Sequence, residues 1–190
     1  MNNSTPLRIF LTRGLIAIAW AATFAAVTKS LTTSVTILAG ALLVTYPLID
    51  AVATLVDARS QSGSARRFLL ANTVSSAVAA IALGIAATRS ATAVIAVFGI
   101  WASVSGAAQL VVVLRRRAQL GLQVPLLLAN GLSIIGGLAY LIAAAAGQPR
   151  LNMLAIYAAT GGIEFVIQAY LLTRRRRRLT TTPAPVMTTA

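Results

Sequence analysis

The stretch LLANTVSSAVAAIALGIAAT, at residues 69–88, recurs as LLANGLSIIGGLAYLIAAAA at residues 127–146. A looser third copy, LTRGLIAIAWAATFAAV, covers residues 11–27. Each copy is an apolar run of the length that an α-helix needs to cross about 30 Å of hydrocarbon. Because internal repeats at a fixed spacing indicate a fold built by repetition, these runs predict a membrane protein made of recurring helical units.

The composition also indicates an integral membrane protein. Of the 190 residues, 58% are hydrophobic and 10% are charged, which is more apolar surface than a soluble domain of this size can bury. Cysteine and histidine are absent and there are only three acids, so we expect no cofactor, no metal site and no enzyme. The net charge of +13 does not indicate a nucleic-acid partner, because the arginines lie between the apolar runs.

The apolar runs predict an all-α protein with six transmembrane helices, since only helices satisfy the backbone at these lengths. They leave a short N-terminus at 1–8, with no cleaved signal peptide expected, and a transmembrane domain at 9–173. Residues 174–190 are basic and then rich in Pro and Thr, which predicts a disordered tail. The predicted spans are 9–28, 34–56, 68–88, 91–114, 122–146 and 151–173.

The even-numbered spans repeat as the odd-numbered ones do. YPLIDAVATLVDAR starts at Tyr46, WASVSGAAQLVVVLRRR at Trp101 and YAATGGIEFVIQAYLLTRRRRR at Tyr157, and each has an aromatic residue first and arginine last. The sequence therefore predicts three helical hairpins, at about 9–59, 66–117 and 122–178, all with the same orientation across the membrane. This differs from inverted-repeat transporters, in which a unit recurs upside down.

The basic residues predict the orientation of the chain. If the N-terminus is inside, 13 of the 16 basic residues lie on the cytoplasmic side, and only Lys29, Arg89 and Arg150 lie outside. Since positive charges in short loops set topology, we expect both termini in the cytoplasm and a multi-pass membrane protein.

Three stretches carry a resemblance to a known family: RGLIAI at 13–18, WASVSGAAQ at 101–109 followed by Arg115 to Arg117, and GLSIIGGL at 131–138. With these the chain resembles the HdeD-type acid-resistance membrane proteins over about residues 8–178. The resemblance implies a small bacterial inner-membrane protein with six helices in hairpin repeats. It also implies a role in acid or envelope stress tolerance, without a defined biochemical activity.

Polar residues inside the spans are the candidate functional groups, because a charge among lipids costs several kcal/mol. Counting about 1.5 Å per residue places Asp50 and Arg13 at similar depth below the cytoplasmic face, where they can form an ion pair. Asn72 and Asn130 occupy the position of Arg13 in the other hairpins. The sequence therefore predicts a polar layer, which either forms a proton or solute path or only holds the helices together. Its members are Arg13, Asp50, Asn72, Gln109, Asn130 and Glu164.

Small residues at four-residue spacing predict close helix contacts, either within the bundle or at the seam of a homodimer. They are Ala102-x-x-x-Gly106, Ala158-x-x-x-Gly162 and Gly99-x-x-x-Ser103. In the first hairpin Pro47 replaces a small residue; its missing N–H leaves the Leu43 carbonyl free, which predicts a bend in that helix.

The run from Arg174 to Arg178 predicts contact with anionic lipid headgroups on the cytoplasmic side, at about 1 kcal/mol per arginine. A specific protein or nucleic-acid partner is the alternative for this run. For the whole chain the sequence favours a non-enzymatic stress-tolerance protein. A small proton, ion or solute transporter that uses Asp50 and Glu164 is the second hypothesis.

Overall fold

A computed structural model of the chain describes residues 4–29, 35–120 and 123–181. In these residues every regular element is a helix, so the predicted all-α architecture with six long apolar helices is confirmed. All six are long and apolar enough to cross a membrane. The helices are α1 (Ser4–Thr28), α2 (Ile37–Arg59), α3 (Gly63–Ala87), α4 (Ala91–Leu120), α5 (Val124–Ala145) and α6 (Asn152–Thr181).

Local sequence signals explain several helix ends. The Thr36 hydroxyl caps α2 by accepting a hydrogen bond from the Ala39 N–H at 3.2 Å. Gly147 ends α5 with φ +67°, where its N–H donates to the Ala144 carbonyl and the Gln148 N–H donates to the Ala143 carbonyl. This pair of bonds is a Schellman motif, which needs a left-handed residue and so favours glycine.

Two helices continue beyond their predicted spans at the arginine-rich end of the bundle. The fourth span was predicted to end at residue 114 and α4 ends at Leu120; the sixth was predicted to end at residue 173 and α6 ends at Thr181. Residues 174–181 are therefore helical, not part of a disordered tail. Arginine is a good helix former, and the first proline after this run is Pro183. The rest of the predicted tail lies outside the described residues.

The six helices form a closed ring. Within the described residues each helix contacts the helices that precede and follow it, and α1 contacts α6. The contacts of α1 with α6, of α2 with α3 and of α4 with α5 are extensive, whereas α1–α2 and α5–α6 meet along much sparser seams. Phe10 stacks on Phe165 with ring centroids 6.1 Å apart, and Gly14 faces Gly162, so α1 and α6 are antiparallel.

The apolar core fills one half of the ring. Phe24, Leu43, Leu83 and Phe98 are completely buried and belong to one cluster near the C-terminal ends of α1, α3 and α5. The outward faces of the helices are also apolar; Ile142, for example, is 70% exposed. Such faces suit a lipid environment, where burial in protein is not needed. The predicted polar residues lie in the other half of the ring.

Candidate functional site

Asp50 is the centre of a polar network inside the ring. Its Oδ1 accepts hydrogen bonds from Arg13 Nη2 at 2.6 Å and from Gln109 Nε2 at 3.4 Å. Its Oδ2 accepts from Asn72 Nδ2 and from Ser76 Oγ, both at 2.8 Å. The carboxylate on α2 thus receives donors from α1, α3 and α4. Four donors, one of them cationic, offset much of the cost of placing this charge within a span.

Two further bonds extend the network into α4. The Trp101 indole N–H donates to Ser76 Oγ at 2.9 Å, and the Ser105 hydroxyl donates to Asn72 Oδ1 at 2.8 Å. Sequence reasoning missed these three side chains as members of the polar layer. One signal was available, because Ser76 lies four residues after Asn72 and therefore shares its helix face.

A cavity of about 280 Å³ lies beside this network, lined by residues of α1, α2, α4, α5 and α6. Five of the six predicted layer residues line it: Arg13, Asp50, Gln109, Asn130 and Glu164. Asn72, the sixth, is buried behind Asp50. The structure therefore gathers the predicted polar residues around one space, but only some of them bond to one another.

The positive charge of Arg13 is compensated by contacts on two sides. Besides its ion pair with Asp50, its guanidinium carbon lies 4.5 Å from the centroid of the Phe165 ring on α6. This distance is within the range of a cation–π interaction. Among the described residues, the one cationic side chain that lines the cavity is thus occupied by a carboxylate and an aromatic face.

Glu164 is not compensated in this way. Its Oε2 is buried and has no hydrogen-bond partner among the described residues, although the side chain lines the cavity. Asn130, also in the lining, is buried on α5 and takes no part in the Asp50 network. In the described residues the cavity is thus lined by a carboxyl group with an unpaired oxygen, Glu164, and by a carboxylate whose bonds are already made, Asp50.

Aromatic side chains form much of the remaining wall. Tyr46, Trp101, Tyr140 and Tyr157 line the cavity, and each ring contacts the buried ring of Phe98, with centroid distances of 6.2, 5.2, 5.8 and 5.2 Å. Two of the tyrosine hydroxyls are engaged between α5 and α6. Tyr157 shares a hydrogen bond with Ser133 at 2.7 Å, and Tyr140 donates to the Met153 carbonyl at 3.0 Å.

The cavity opens along the sparse seam between α5 and α6. Leu132 on α5 and Ile156 on α6 line it and are also 51% and 63% exposed at the surface of the bundle. Gly161, another lining residue on α6, has no neighbouring atom within 4 Å of the place where a Cβ would stand. The α1–α2 seam, by contrast, is bridged by a side chain, since the Trp20 indole N–H donates to the Leu42 carbonyl at 2.9 Å.

The predicted small residues lie at contacts within the bundle. On α4, a Cβ at Gly99 would stand 2.7 Å from the Gly137 carbonyl oxygen, and one at Gly106 would stand 2.9 Å from that of Asn130. Ser103 also faces Gly137, and Ala102 is completely buried. These positions let α4 approach α5 closely. Gly137 is the matching small residue that sequence reasoning did not single out.

On α6, Ala158 is completely buried and Gly162 faces α1. A Cβ at Gly162 would stand 2.9 Å from the Gly14 carbonyl oxygen, and one at Gly14 would stand 2.7 Å from that of Gly162. Reciprocal approach of two glycines lets helix backbones touch where no hydrophobic effect drives association. Pro47, where a bend was expected, lies buried in α2, which remains helical on both sides of it.

Charged groups at the arginine-rich end lie apart from the cavity. Arg116 Nη2 lies 2.9 Å from Asp57 Oδ2, at ion-pair distance but without an aligned hydrogen bond. Arg174 is exposed, with its guanidinium 5.8 Å from the Tyr170 ring. The side chains of Arg175, Arg176, Arg177 and Arg178 lie outside the described residues, so their predicted contact with headgroups stays a prediction.

Neither a protein-family model nor a curated protein nor a solved structure matches this chain.

Proposed function

We propose that this protein is a small membrane carrier or channel that passes a proton or a small solute through the cavity inside its helix ring. The observation that carries the proposal is the unpaired Glu164 carboxyl group at a cavity of about 280 Å³. An ionisable side chain within a span is costly, and such groups in membrane proteins mark ion and substrate pathways. Glu164 is the group whose charge the transported species neutralises.

The two intramembrane acids have different roles in this proposal. Asp50 accepts four hydrogen bonds, so its charge is already balanced and its removal would unbalance Arg13. Glu164 has a free oxygen that faces no competing donor among the described residues. A proton or a cation can therefore bind at Glu164 without breaking an existing contact, which is what a transport site requires.

We further propose that the protein lies in a bacterial inner membrane with both termini in the cytoplasm, as three hairpins of equal orientation. The excess of arginine at one end of the spans supports this orientation. Anionic headgroups then surround the arginine-rich ends of α4 and α6, where they add about 1 kcal/mol per basic residue.

A flux measurement in proteoliposomes tests the transport proposal. Vesicles that contain a trapped pH dye are given an outward potassium gradient with valinomycin, and we expect the protein to accelerate proton entry. Glu164→Gln should abolish the acceleration. Asp57→Asn is the control matched in net charge, because it lies outside the cavity lining; since it also removes the partner of Arg116, its melting temperature is measured in parallel. Equal flux in wild type and Glu164→Gln would show that Glu164 takes no part in proton transport.

A stress-tolerance role without transport is the second candidate, and the saturated Asp50 network favours it. A carboxylate with all of its acceptor sites used stabilises a fold better than it relays protons. The resemblance to HdeD-type proteins points to the same role. A deletion strain tested for survival in acid separates the two candidates: rescue by Glu164→Gln as complete as by wild type favours the non-transport role, and loss of rescue favours transport.

A further inference from the structure

We propose that the cavity binds a small organic monocation with an aromatic or apolar body, such as an aryl-substituted ammonium ion. This proposal rests on the proposed transport function and names the substrate class of the same site. It follows from the charge balance of the cavity wall, from its aromatic lining and from the position of its opening.

The charge balance of the wall favours a cation. Among the described residues, one basic side chain, Arg13, and two acidic ones, Asp50 and Glu164, line the cavity. The first two neutralise each other at 2.6 Å, and Arg13 also contacts the Phe165 ring. The remaining charge is that of Glu164, whose buried Oε2 has no partner in the described part of the chain. A bound monocation makes the site neutral, whereas an anion would lie against an unscreened carboxylate.

Several hydrogen-bond donors of the wall are already used, which makes an anionic or sugar-like ligand less favourable. Gln109 donates to Asp50, Tyr140 donates to the Met153 carbonyl, and the hydroxyls of Ser133 and Tyr157 bond to each other. A carboxylate, phosphate or polyol needs several donors to replace the water that it loses, and the donors already bonded would have to break their bonds to supply them. An ammonium group with apolar substituents needs few donors from its site.

The aromatic lining provides favourable contacts for such a cation. Tyr46, Trp101, Tyr140, Tyr157 and Phe165 belong to the wall. Aromatic rings attract cations through their quadrupole, by about 0.5–2 kcal/mol each, and quaternary ammonium ions are typical ligands of aromatic cages. The volume of about 280 Å³ lies just below the usual range of drug-sized sites, so the ligand is small.

The opening of the cavity suits a ligand that partitions into the bilayer. Leu132 and Ile156 flank the opening between α5 and α6 and are exposed on the outward surface of two apolar helices. A cation with an aryl group concentrates at the membrane interface, so it reaches the site through this seam. A strongly hydrated ion has no such route.

Binding of benzyltrimethylammonium to the full chain in lipid nanodiscs, measured by titration calorimetry, tests the proposal. We expect saturable one-site binding, at least tenfold weaker in Glu164→Gln and unchanged in Asp57→Asn. Neopentylbenzene, the neutral carbon analogue of the probe, should bind at least tenfold more weakly than the cation. Melting temperatures of both variants are measured in parallel, so that a folding defect is recognised.

A variant that fills the cavity provides a second test if Glu164→Gln does not fold. Gly161→Leu adds a side chain into open space beside the cavity and should abolish binding of benzyltrimethylammonium, whereas Gly131→Leu, also open but outside the lining, should not. Equal affinity for the cation and its neutral analogue would overturn the proposal, and so would binding that Glu164→Gln or Gly161→Leu leaves unchanged. If wild type does not bind the cation but its proton flux depends on Glu164, the ligand class is wrong and the transport proposal stands.

Discussion

Arg13 and Asp50, which lie 37 positions apart in the chain, are joined across α1 and α2 by a contact of 2.6 Å between Nη2 and Oδ1. The exposed fractions of the two side chains are 12% and 11%, so water screens the pair only weakly. The contact spans a seam where α1 and α2 otherwise meet sparsely. Its loss should therefore affect the position of α1 as well as the local charge balance.

Asp50→Asn should lower the free energy of unfolding by about 3 kcal/mol, because it leaves the Arg13 guanidinium buried without its carboxylate. The double variant with Arg13→Gln removes both charges and should recover part of the loss. Thermal unfolding in detergent compares the stability of wild type, Asp50→Asn and the double variant. Equal melting temperatures of Asp50→Asn and wild type would contradict a stabilising ion pair.

Ser76→Ala should lower stability by about 2 kcal/mol, since the hydroxyl both donates to Asp50 and accepts from the Trp101 indole. Its removal leaves a buried indole N–H without an acceptor. Ser75, which precedes it on α3 and is only half-buried, is the matched control, and Ser75→Ala should change stability by a few tenths of a kcal/mol. Similar effects of the two substitutions would show that Ser76 does not link Asp50 to Trp101.

Gly162→Ala and Gly161→Ala, adjacent on α6, should change stability in opposite directions. A Cβ at Gly162 would stand 2.8 Å from Ile18 Cγ1 and 2.9 Å from the Gly14 carbonyl oxygen, so we expect a loss of about 1–3 kcal/mol. A Cβ at Gly161 meets open space, and the higher helix propensity of alanine should add up to about 1 kcal/mol. Chemical or thermal unfolding of the two variants measures the difference. A loss at Gly161 as large as that at Gly162 would contradict the α1–α6 contact.

Gly161→Leu should leave the fold intact and block Glu164-dependent flux. The added side chain enters the cavity from a position without close neighbours, so it occupies ligand space at little cost in packing. Proteoliposome flux at a matched protein amount measures the block, with Gly131→Leu as the control outside the cavity lining. Wild-type flux in the Gly161→Leu variant would show that transport does not use this cavity.

Single-cysteine variants should report the orientation of the chain, which itself contains no cysteine. Ser62, Thr88 and Gln148 are exposed in the turns between helices. An impermeant maleimide applied to intact spheroplasts should label Thr88→Cys and Gln148→Cys but should label Ser62→Cys only after lysis. Labelling of Ser62→Cys in intact spheroplasts would invert the proposed topology.

The sequence was sufficient to predict the six helices and the all-α fold, because each span is an apolar run of membrane-crossing length. It was also sufficient to propose that Arg13 meets Asp50, since depth along two adjacent helices follows from the rise per residue. Helix ends were less predictable. The arginine runs end the apolar pattern but do not end a helix, so α4 and α6 extend further than their apolar spans.

The candidate site was only partly predictable, because it depends on distances between helices. The layer residues share a depth, but Asn72 and Gln109 reach Asp50 while Glu164 does not hydrogen-bond to it. That difference depends on how closely the helices approach one another, which the period of apolar residues does not report. The contact between Gly14 and Gly162 was missed for the same reason. It depends on α1 lying beside α6, which the sequence does not indicate.

The α1–α6 contact can form only late in synthesis, after the last helix is made. Gly14 leaves the ribosome 148 residues before Gly162, so at 5–20 residues per second the first helix waits on the order of ten seconds for the helix that closes the ring. Asp50 emerges much earlier and provides Arg13 with a partner during that interval. We therefore expect the ion pair to hold α1 beside α2 until α6 is made, and a chain that lacks the pair to leave Arg13 without a partner during that interval.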